Sequence, residues 1–373
     1  MKRIKILEAI RQGKVGGGET HVLELATNLD KTKFEPVILA FTPGPMIDEA
    51  NRRGIRTKVI YTEKGFDVTV WREVKKFMEE EKFDIIHAHG TRAMSNVFWS
   101  AKSLHLPLIY TVHGWSFHKD QKYAIRRMRE LSEHFLTSVA DMTVCVSESN
   151  EKDGIELFNM KRSKVIYNAV DIDKFNPDNK FNDIRSELGI TTEKTVIGFI
   201  VRVTVQKDPF TMLKAMKILS ETDDNTILLI VGDGDLKAAS VDLARELKIE
   251  NKVIFQPFRS DIPDILNAID IYCLPSLWEG FPIGILESMA MGKAVVATPV
   301  DGTCELIKDG ETGLFVDTGD SVNLAKSLLR LINDKELRRK VTLNASEFTR
   351  SNFGISRLVS EVGEVYSEIR ESK

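Results

Sequence analysis

Three cysteines in 373 residues, Cys145, Cys273 and Cys304, are too few and too far apart for a disulfide framework or a zinc-binding spacing. A chain of this kind belongs in a reducing compartment, and a cytoplasmic location is expected. No apolar run is long enough to span a bilayer: the longest, VIGFIV (196–201) and TILLIV (226–231), fall far short. The basic stretch at the start, MKRIKILEAIRQGK, has its apolar run broken by Glu8, so no secretory leader is expected. Charge of one sign is also missing. Lysine and arginine number 52 against 55 acidic residues, a net charge of −3, which excludes a general nucleic-acid binder. What remains is an ordinary soluble composition, 42% hydrophobic and 29% charged. At roughly 150 residues per domain, the length fits two large domains.

Short apolar runs alternate with helical patterns along most of the chain. IKILEAI, PVILAF, TKVIY, DIIHAH, PLIYTV, MTVCV and KVIY read as strands in the first half. TVIGFI, ILLIVG, KVIFQ, IYCLP and AVVAT do so in the second. Many are apolar on both faces, as parallel strands covered by helices must be. Helical patterns at 69–82, 91–104, 121–140, 208–220, 235–248 and 320–332 separate them. The result is α/β: two Rossmann-like, doubly wound domains. The alternation pauses in NAVDIDKFNPDNKFND. The reading is a first domain over 1–168, a linker over 169–189 and a second domain over 190–350. The final helical pattern carries one apolar stripe, Leu358, Val362, Val365 and Ile369.

GKVGGGETH (13–21) follows the first strand and leads into a helix, a place where backbone N–H groups can approach a phosphate. Neither familiar phosphate motif fits. Gly13 and Gly18 have the P-loop spacing, but Glu19 stands where the lysine belongs, and a carboxylate there repels triphosphate. The dinucleotide fingerprint fails because His21 occupies the place of its third glycine, and GDGD (232–235) has no third glycine either. A tight turn without a ligand remains the alternative.

LPSLWEGFPIGILESMAMGKAVVAT (274–298) carries the most chemistry. A strand ends, a loop brings Glu279 and Gly280, and Pro282 opens a helix that contains Glu287. The free N–H groups of a helix start bind an anion, whereas carboxylates accept from hydroxyls. A phosphate site bracketed by hydroxyl acceptors is the chemistry of a nucleotide sugar. Two solvated helix-end glutamates are the plainer alternative.

Glu279 and Glu287 stand eight apart in EGFPIGILE, and here the chain resembles the retaining GT-B glycosyltransferases, more closely glycosyltransferase family four. GGGE (16–19), TVHG (111–114), VIYNAVDIDKF (165–175), VRVTVQKD (201–208), IVGDGDL (230–236) and DGTCELIKDGETGLFV (301–316) agree with it in order. The resemblance implies two domains facing across a cleft, with the last helix (352–373) crossing back onto the first. The first domain would bind the acceptor and the second the nucleoside-diphosphate sugar. Arg202 and Lys207, an R-x4-K pair, would hold the diphosphate, and Gly17 would approach it through its backbone. Glu287 would accept from the ribose and Glu279 from the sugar. Gly280 and the backbone N–H groups of Phe281 and Ile283 would support sugar and phosphate. Arg259 would frame the nucleobase, His113 would face the transferred sugar, and Glu19 and His21 would lie on the acceptor side. Val201 and Ala169 replace glycines common in relatives, and Pro282 removes one N–H. The implied reaction moves a hexose to an acceptor hydroxyl with retention, in cell-surface polysaccharide or glycolipid assembly, with no cofactor and no obligatory metal. A nucleotide-sugar epimerase, a sugar phosphorylase and a non-catalytic sugar-nucleotide binder are the competing readings.

All seven histidines lie in the first 134 residues. His87 and His89 share one strand face, but no third ligand has a recognisable spacing and HExxH is absent, so no metal site is expected. Residues 119–130, KDQKYAIRRMRE, hold five basic side chains, and Ile125, Met128, Leu131, Phe135 and Val139 follow at helical spacing. An ordinary surface helix is one reading. A patch for anionic lipid or a phosphorylated acceptor is the other.

Overall fold

The computed structural model describes residues 3–13, 16–118 and 121–371. Lys14 and Val15 of the glycine loop, and Lys119 and Asp120 of the basic stretch, lie outside them. The chain forms two compact units. One runs up to Ala169 and resumes from Ile355; the other is Val170–Gly354.

Among the described residues the first unit has strands β1 (Ile4–Ile10), β2 (Phe34–Ala40), β3 (Arg56–Val59), β4 (Ile85–His89), β5 (Leu108–Val112), β6 (Met142–Cys145) and β7 (Ser163–Val165). All pair in parallel in the order β3-β2-β1-β4-β5-β6-β7. The second unit has β8 (Thr195–Ile200), β9 (Thr226–Val231), β10 (Val253–Gln256), β11 (Ile271–Leu274), β12 (Ala294–Ala297) and β13 (Leu314–Phe315), parallel in the order β10-β9-β8-β11-β12-β13. Central strands such as β11 and β12 are buried along their whole length, which is why they read as unbroken apolar runs. β13, only two residues long, has no period that a sequence reading could find.

In both sheets the strand order reverses beside the first strand, between β1 and β4 and between β8 and β11. The connections from those strands leave toward opposite faces, so a crevice opens at their carboxyl ends. The chain leaves β1 at 11, β8 at 201 and β11 at 275 there, and the loop at 113–118 starts one strand over, at the end of β5.

The period of two sorts the first sheet. Leu7, Ala9, Ile86, Ala88 and Tyr110 pack on one face with Trp115 and Phe117. Ile6, Ile85, Ile109 and Val144 pack on the other against the helix Ile355–Glu371. The expected stripe of that helix, Leu358, Val362, Val365 and Ile369, is buried, together with Tyr366. Glu8, His87 and His89 point to this second face, by the same alternation as Ile6 and Ile85.

The stretch 169–189 is not a free linker. From Val170 onward it belongs to the second unit, where Ile184 is buried in a short helix, Ile184–Glu187. Arg185 donates to the carbonyls of Ala268 (2.8 Å) and Lys194 (2.9 Å) and pairs with Asp270 at 2.7 Å. Its polar composition hid a segment anchored by side-chain hydrogen bonds and by three buried apolar residues, Val170, Phe175 and Ile184, that follow no regular period.

Leu358→Ala should lower the unfolding free energy by about 2–5 kcal/mol, the usual cost of emptying a fully packed leucine site. Urea denaturation checks this, with the neighbouring exposed Glu364→Ala expected to change little.

Candidate functional site

In the second unit the site grows from the ends of β8 and β11. After β8 the chain passes Val201 and the exposed Arg202, then makes a turn of 3-10 helix, Val205–Lys207. Asp208, at φ +48°, ends that turn and caps the next helix by accepting from Thr211 N at 3.1 Å. The loop after β11 runs alongside: Gln206 donates to Trp278 O at 2.9 Å, and Leu277 N donates to Gln206 O at 2.8 Å. This brings Lys207 and Glu279 into a direct ion pair. Glu279 is buried and also accepts from Ser276 Oγ at 2.6 Å, while its backbone N–H donates to Asp301 at 2.9 Å. A buried carboxylate needs such partners, because desolvation alone would neutralise it.

Gly280 and Phe281 lead from this loop into the helix Ile283–Ala290, with Pro282 at its cap and Glu287 half-buried one turn on. Phe281 is buried against Phe353, with ring centroids 5.6 Å apart. Tyr272 of β11 sits under the helix start. Its hydroxyl donates to Ile200 O at 3.3 Å, and a Cβ on Gly284 would stand 2.5 Å from it. Burial, then the charges of Glu287 and Glu279, push its phenol well up, so it stays a neutral donor. Arg259 is gripped by carboxylates: Asp261 at 2.9 Å and 2.5 Å, and Glu187. Those bonds raise its pKa further. Its fork is spent within the unit.

GDGD, which failed as a dinucleotide motif, has a different use. At Gly232 (φ +136°) a Cβ would stand 1.9 Å from Val201 O, and at Gly234 2.2 Å from Val203 O. The two glycines let this loop lie flat against the segment that carries Arg202, where Val203 N donates to Asp233 O at 3.0 Å. The pairing of Lys207 with Glu279, and the roles of Ser276, Gln206 and Asp301, had no spacing that could reveal them.

In the first unit a polar network lies at the ends of β1, β4 and β5. Glu8, fully buried, accepts from Tyr366 OH at 2.6 Å and from His89 Nε2 at 2.8 Å. His87 Nδ1 is 2.6 Å from Tyr366 OH and 3.3 Å from Glu8, and its Nε2 is 2.6 Å from Thr111 Oγ1. Burial pushes the Glu8 carboxyl up, but His87 and the bonds from both histidines outweigh it and hold the group below the usual carboxylate range. His89 Nδ1 lies 3.1 Å from His113 Nε2. His21 Nδ1 lies 2.9 Å from Asn168 Oδ1, and its ring meets His113 edge-on at 4.8 Å. His113 and His21 are thus brought together.

Glu19, in the first turn of the helix Gly17–Asn28, folds back: its Oε2 lies 2.6 Å from where a Cβ on Gly16 would stand. That is the position of a capping-box glutamate. Gly17 opens the helix, but it is Gly18 that lies against His113, with 3.3 Å between a would-be Cβ and the ring. Glu8 and Tyr366 were not singled out as site residues. The available signal was a charge inside an otherwise buried strand, which must find donors.

Two groups of three metal-capable side chains occur among the described residues, His21, His89 and His113, and Glu8, His87 and His89, each within 4.8 Å. The second group is consumed by hydrogen bonds. In the first, only His21 Nε2 and His113 Nδ1 lack a partner, so a three-ligand site requires the His89–His113 bond to open.

Two family profiles match this chain, "Glycosyltransferase Family 4" over 15–174 and "Glycosyl transferases group 1" over 180–348. A D-inositol 3-phosphate glycosyltransferase of Thermobispora bispora is 30% identical over 312 residues, 79% of this chain and 72% of that one. The chain belongs to glycosyltransferase family 4. As a member of that family it is a glycosyltransferase of GT-B fold, with two Rossmann-like domains. An Escherichia coli UDP-Gal:alpha-D-GlcNAc-diphosphoundecaprenol alpha-1,3-galactosyltransferase is 27% identical over 305 residues, 80% of this chain and 79% of that one. Among solved structures, HepE from Anabaena, in complex with UDP and glucose, shares the fold with a TM-score of 0.87 at 22% identity, covering 98% of this chain and all of that one.

Gly232→Ala should destabilise the protein by about 1–3 kcal/mol for the forbidden φ alone, plus the clash with Val201 O. Gly310→Ala, also at positive φ but with open space around it, should cost only about 1–2 kcal/mol. Thermal melting of the two variants compares them directly.

Proposed function

We propose that this glycosyltransferase moves a hexose, with retention of configuration, from a nucleoside diphosphate to an acceptor hydroxyl in cell-surface polysaccharide or glycolipid assembly. The observation that carries the reading is the Lys207–Glu279 pair, set between the loop that bears Arg202 and the helix start at Ile283. Cations and a helix N-terminus suit a diphosphate, and carboxylates suit hydroxyls. The relatives named above support the donor class, since one uses UDP-Gal and another was solved with UDP and glucose.

In the proposed reaction the bond between the anomeric carbon and the diphosphate oxygen breaks as negative charge builds on the leaving group. The acceptor oxygen bonds to that carbon on the same face, and its proton passes to the leaving phosphate. Arg202 and Lys207 stabilise the developing charge, with Gly17 approaching the diphosphate through its backbone. Glu279 accepts from the sugar and Glu287 from the ribose. Gly280, Phe281 and Ile283 support the phosphate, and Arg259 offers its face to the base. His113 meets the transferred sugar, with Glu19 and His21 toward the acceptor. The charge is supplied by side chains and backbone, so the proposal calls for no metal cofactor.

Arg202→Ala and Lys207→Ala should each lower kcat by roughly 10²–10³-fold at saturating donor. The double variant should fall short of the product of the two losses, because both act on one diphosphate. A panel of nucleotides and nucleotide sugars in thermal shift identifies the donor to use. Near-normal kcat in both single variants would place the diphosphate elsewhere. An epimer formed from donor alone would replace glycosyl transfer by the epimerase reading.

The partner proposed for the first unit is an anionic membrane. No helix of the described residues is long and apolar enough to cross a bilayer. The helix Tyr123–Val139, however, turns its apolar residues outward: Met128 is 63% and Leu131 64% exposed, with Tyr123, Ile125 and Phe135 exposed as well. Lys122, Arg127 and Arg129 are exposed beside them. Apolar side chains flanked by cations suit an anionic headgroup layer. Changing Arg126, Arg127 and Arg129 to Glu should abolish sedimentation with phosphatidylglycerol vesicles, at about 1 kcal/mol lost per removed charge. Nucleotide binding should be unchanged, and wild-type protein that never sediments would refute the contact.

A further inference from the structure

The hydrogen bonds behind His113 determine which of its nitrogens carries hydrogen. Glu8 is the fixed end of the chain. An ionised carboxylate can only accept, and this one takes Tyr366 OH at Oε1 and His89 Nε2 at Oε2. His89 therefore carries its hydrogen on Nε2. Burial and then His87 lower its pKa to about 4, so the ring is neutral and Nδ1 is a bare lone pair. That lone pair lies 3.1 Å from His113 Nε2, which must donate to it. Burial, then His21, His89 and His87, hold His113 neutral too. Its remaining nitrogen, Nδ1, is then a second bare lone pair, buried and without a partner. His21 reaches the same state by a separate route. Its Nδ1 donates to Asn168 Oδ1, its pKa is lowered to about 3 by burial and then by His89 and His87, and its buried Nε2 has no partner.

We infer that the Glu8–His89–His113 chain fixes His113 as a hydrogen-bond acceptor, so that this site selects a sugar hydroxyl and turns away an acceptor-only group such as a uronate carboxylate. Glu8 and His89 are positioning residues that never touch the substrate. A hydroxyl brought to His113 Nδ1 donates its hydrogen. A carboxylate brought there meets a lone pair on His113 and another on His21 beside it, and neither imidazole offers it a hydrogen, which leaves buried acceptors unpaired. The inference rests on the reading that His113 meets the transferred sugar.

The first test needs no substrate. In protein labelled with 15N-histidine, correlation of imidazole nitrogens with ring protons reports each tautomer, and the signals lost in His113→Asn assign the ring. His113 is expected protonated on Nε2 with bare Nδ1. In Glu8→Gln, whose amide can donate to His89, the hydrogen of His113 should move to Nδ1; Glu8→Asp should keep the wild-type pattern. Wild-type His113 protonated on Nδ1 overturns the chain, even where Glu8→Gln does not fold. So does a folded Glu8→Gln with an unchanged pattern. The second test offers paired nucleoside-diphosphate glucose and glucuronate to the wild-type protein. The glucose member should bind roughly tenfold or more tighter in every pair that binds. Preference for the uronate, or equal affinity, overturns the selection. A panel in which no pair binds overturns the donor reading along with it, while the tautomer chain is still judged by the nitrogen spectra.

Discussion

A carboxylate taken out of water must be met by donors, and in the first unit that requirement organises everything around Glu8. The residue sits in β1, the strand beside which the sheet order reverses, and it is fully buried. Its donors come from β4 and from the helix Ile355–Glu371, 358 residues further along the chain in the case of Tyr366. One side chain thus ties the sheet centre to the C-terminal helix and orients the histidines at the strand ends. An unpaired charge here would cost several kcal/mol, so the arrangement is kept whole or lost whole.

Glu279 has the corresponding place in the second unit. It too lies at the carboxyl end of a strand next to the order reversal, and it too is buried among donors, Lys207 and Ser276. The difference is in what the donors can do. Around Glu8 they are neutral or shared within the network, and both carboxylate oxygens are committed. At Glu279 the principal donor is a lysine on a loop of 3-10 helix, a point charge on a flexible stem that can also serve an anion. The first arrangement suits holding a ring in place. The second suits exchanging partners when a ligand arrives. Glycines set the distances in both units: Gly18 lets a helix start lie on His113, and Gly232 and Gly234 let a loop lie on the Arg202 segment.

The helix Tyr123–Val139 shows how burial can reverse a sequence pattern. Its apolar spacing fits an ordinary amphipathic helix, which would turn Met128 and Leu131 inward. Instead the inward positions hold Glu130, Glu133, Leu136 and Thr137. Glu133 accepts from Thr91, Tyr110 and Ser116, and Glu130 pairs with Arg126 and Arg127. The polar residues are satisfied inside, so the apolar ones are left to whatever lies outside.

The sequence by itself determined the layered α/β architecture, because parallel strands buried on both faces must read as unbroken apolar runs and helices as stripes. It also determined the family, through residues at fixed spacing on contiguous loops: Arg202 with Lys207, and Glu279 with Glu287. It could not determine that Lys207 meets Glu279, that Arg259 is held by Glu187 and Asp261, or that Glu8, His89 and His113 form one chain. Apart from Arg259 with Asp261, two positions on, those contacts join residues tens of positions apart, and spacing carries no information about them. The tertiary structure decided them by strand order and register, which set Glu8 opposite His87 and His89 opposite Thr111. It also decided the fate of 169–189, where a polar segment is fixed by hydrogen bonds that no hydrophobic period records.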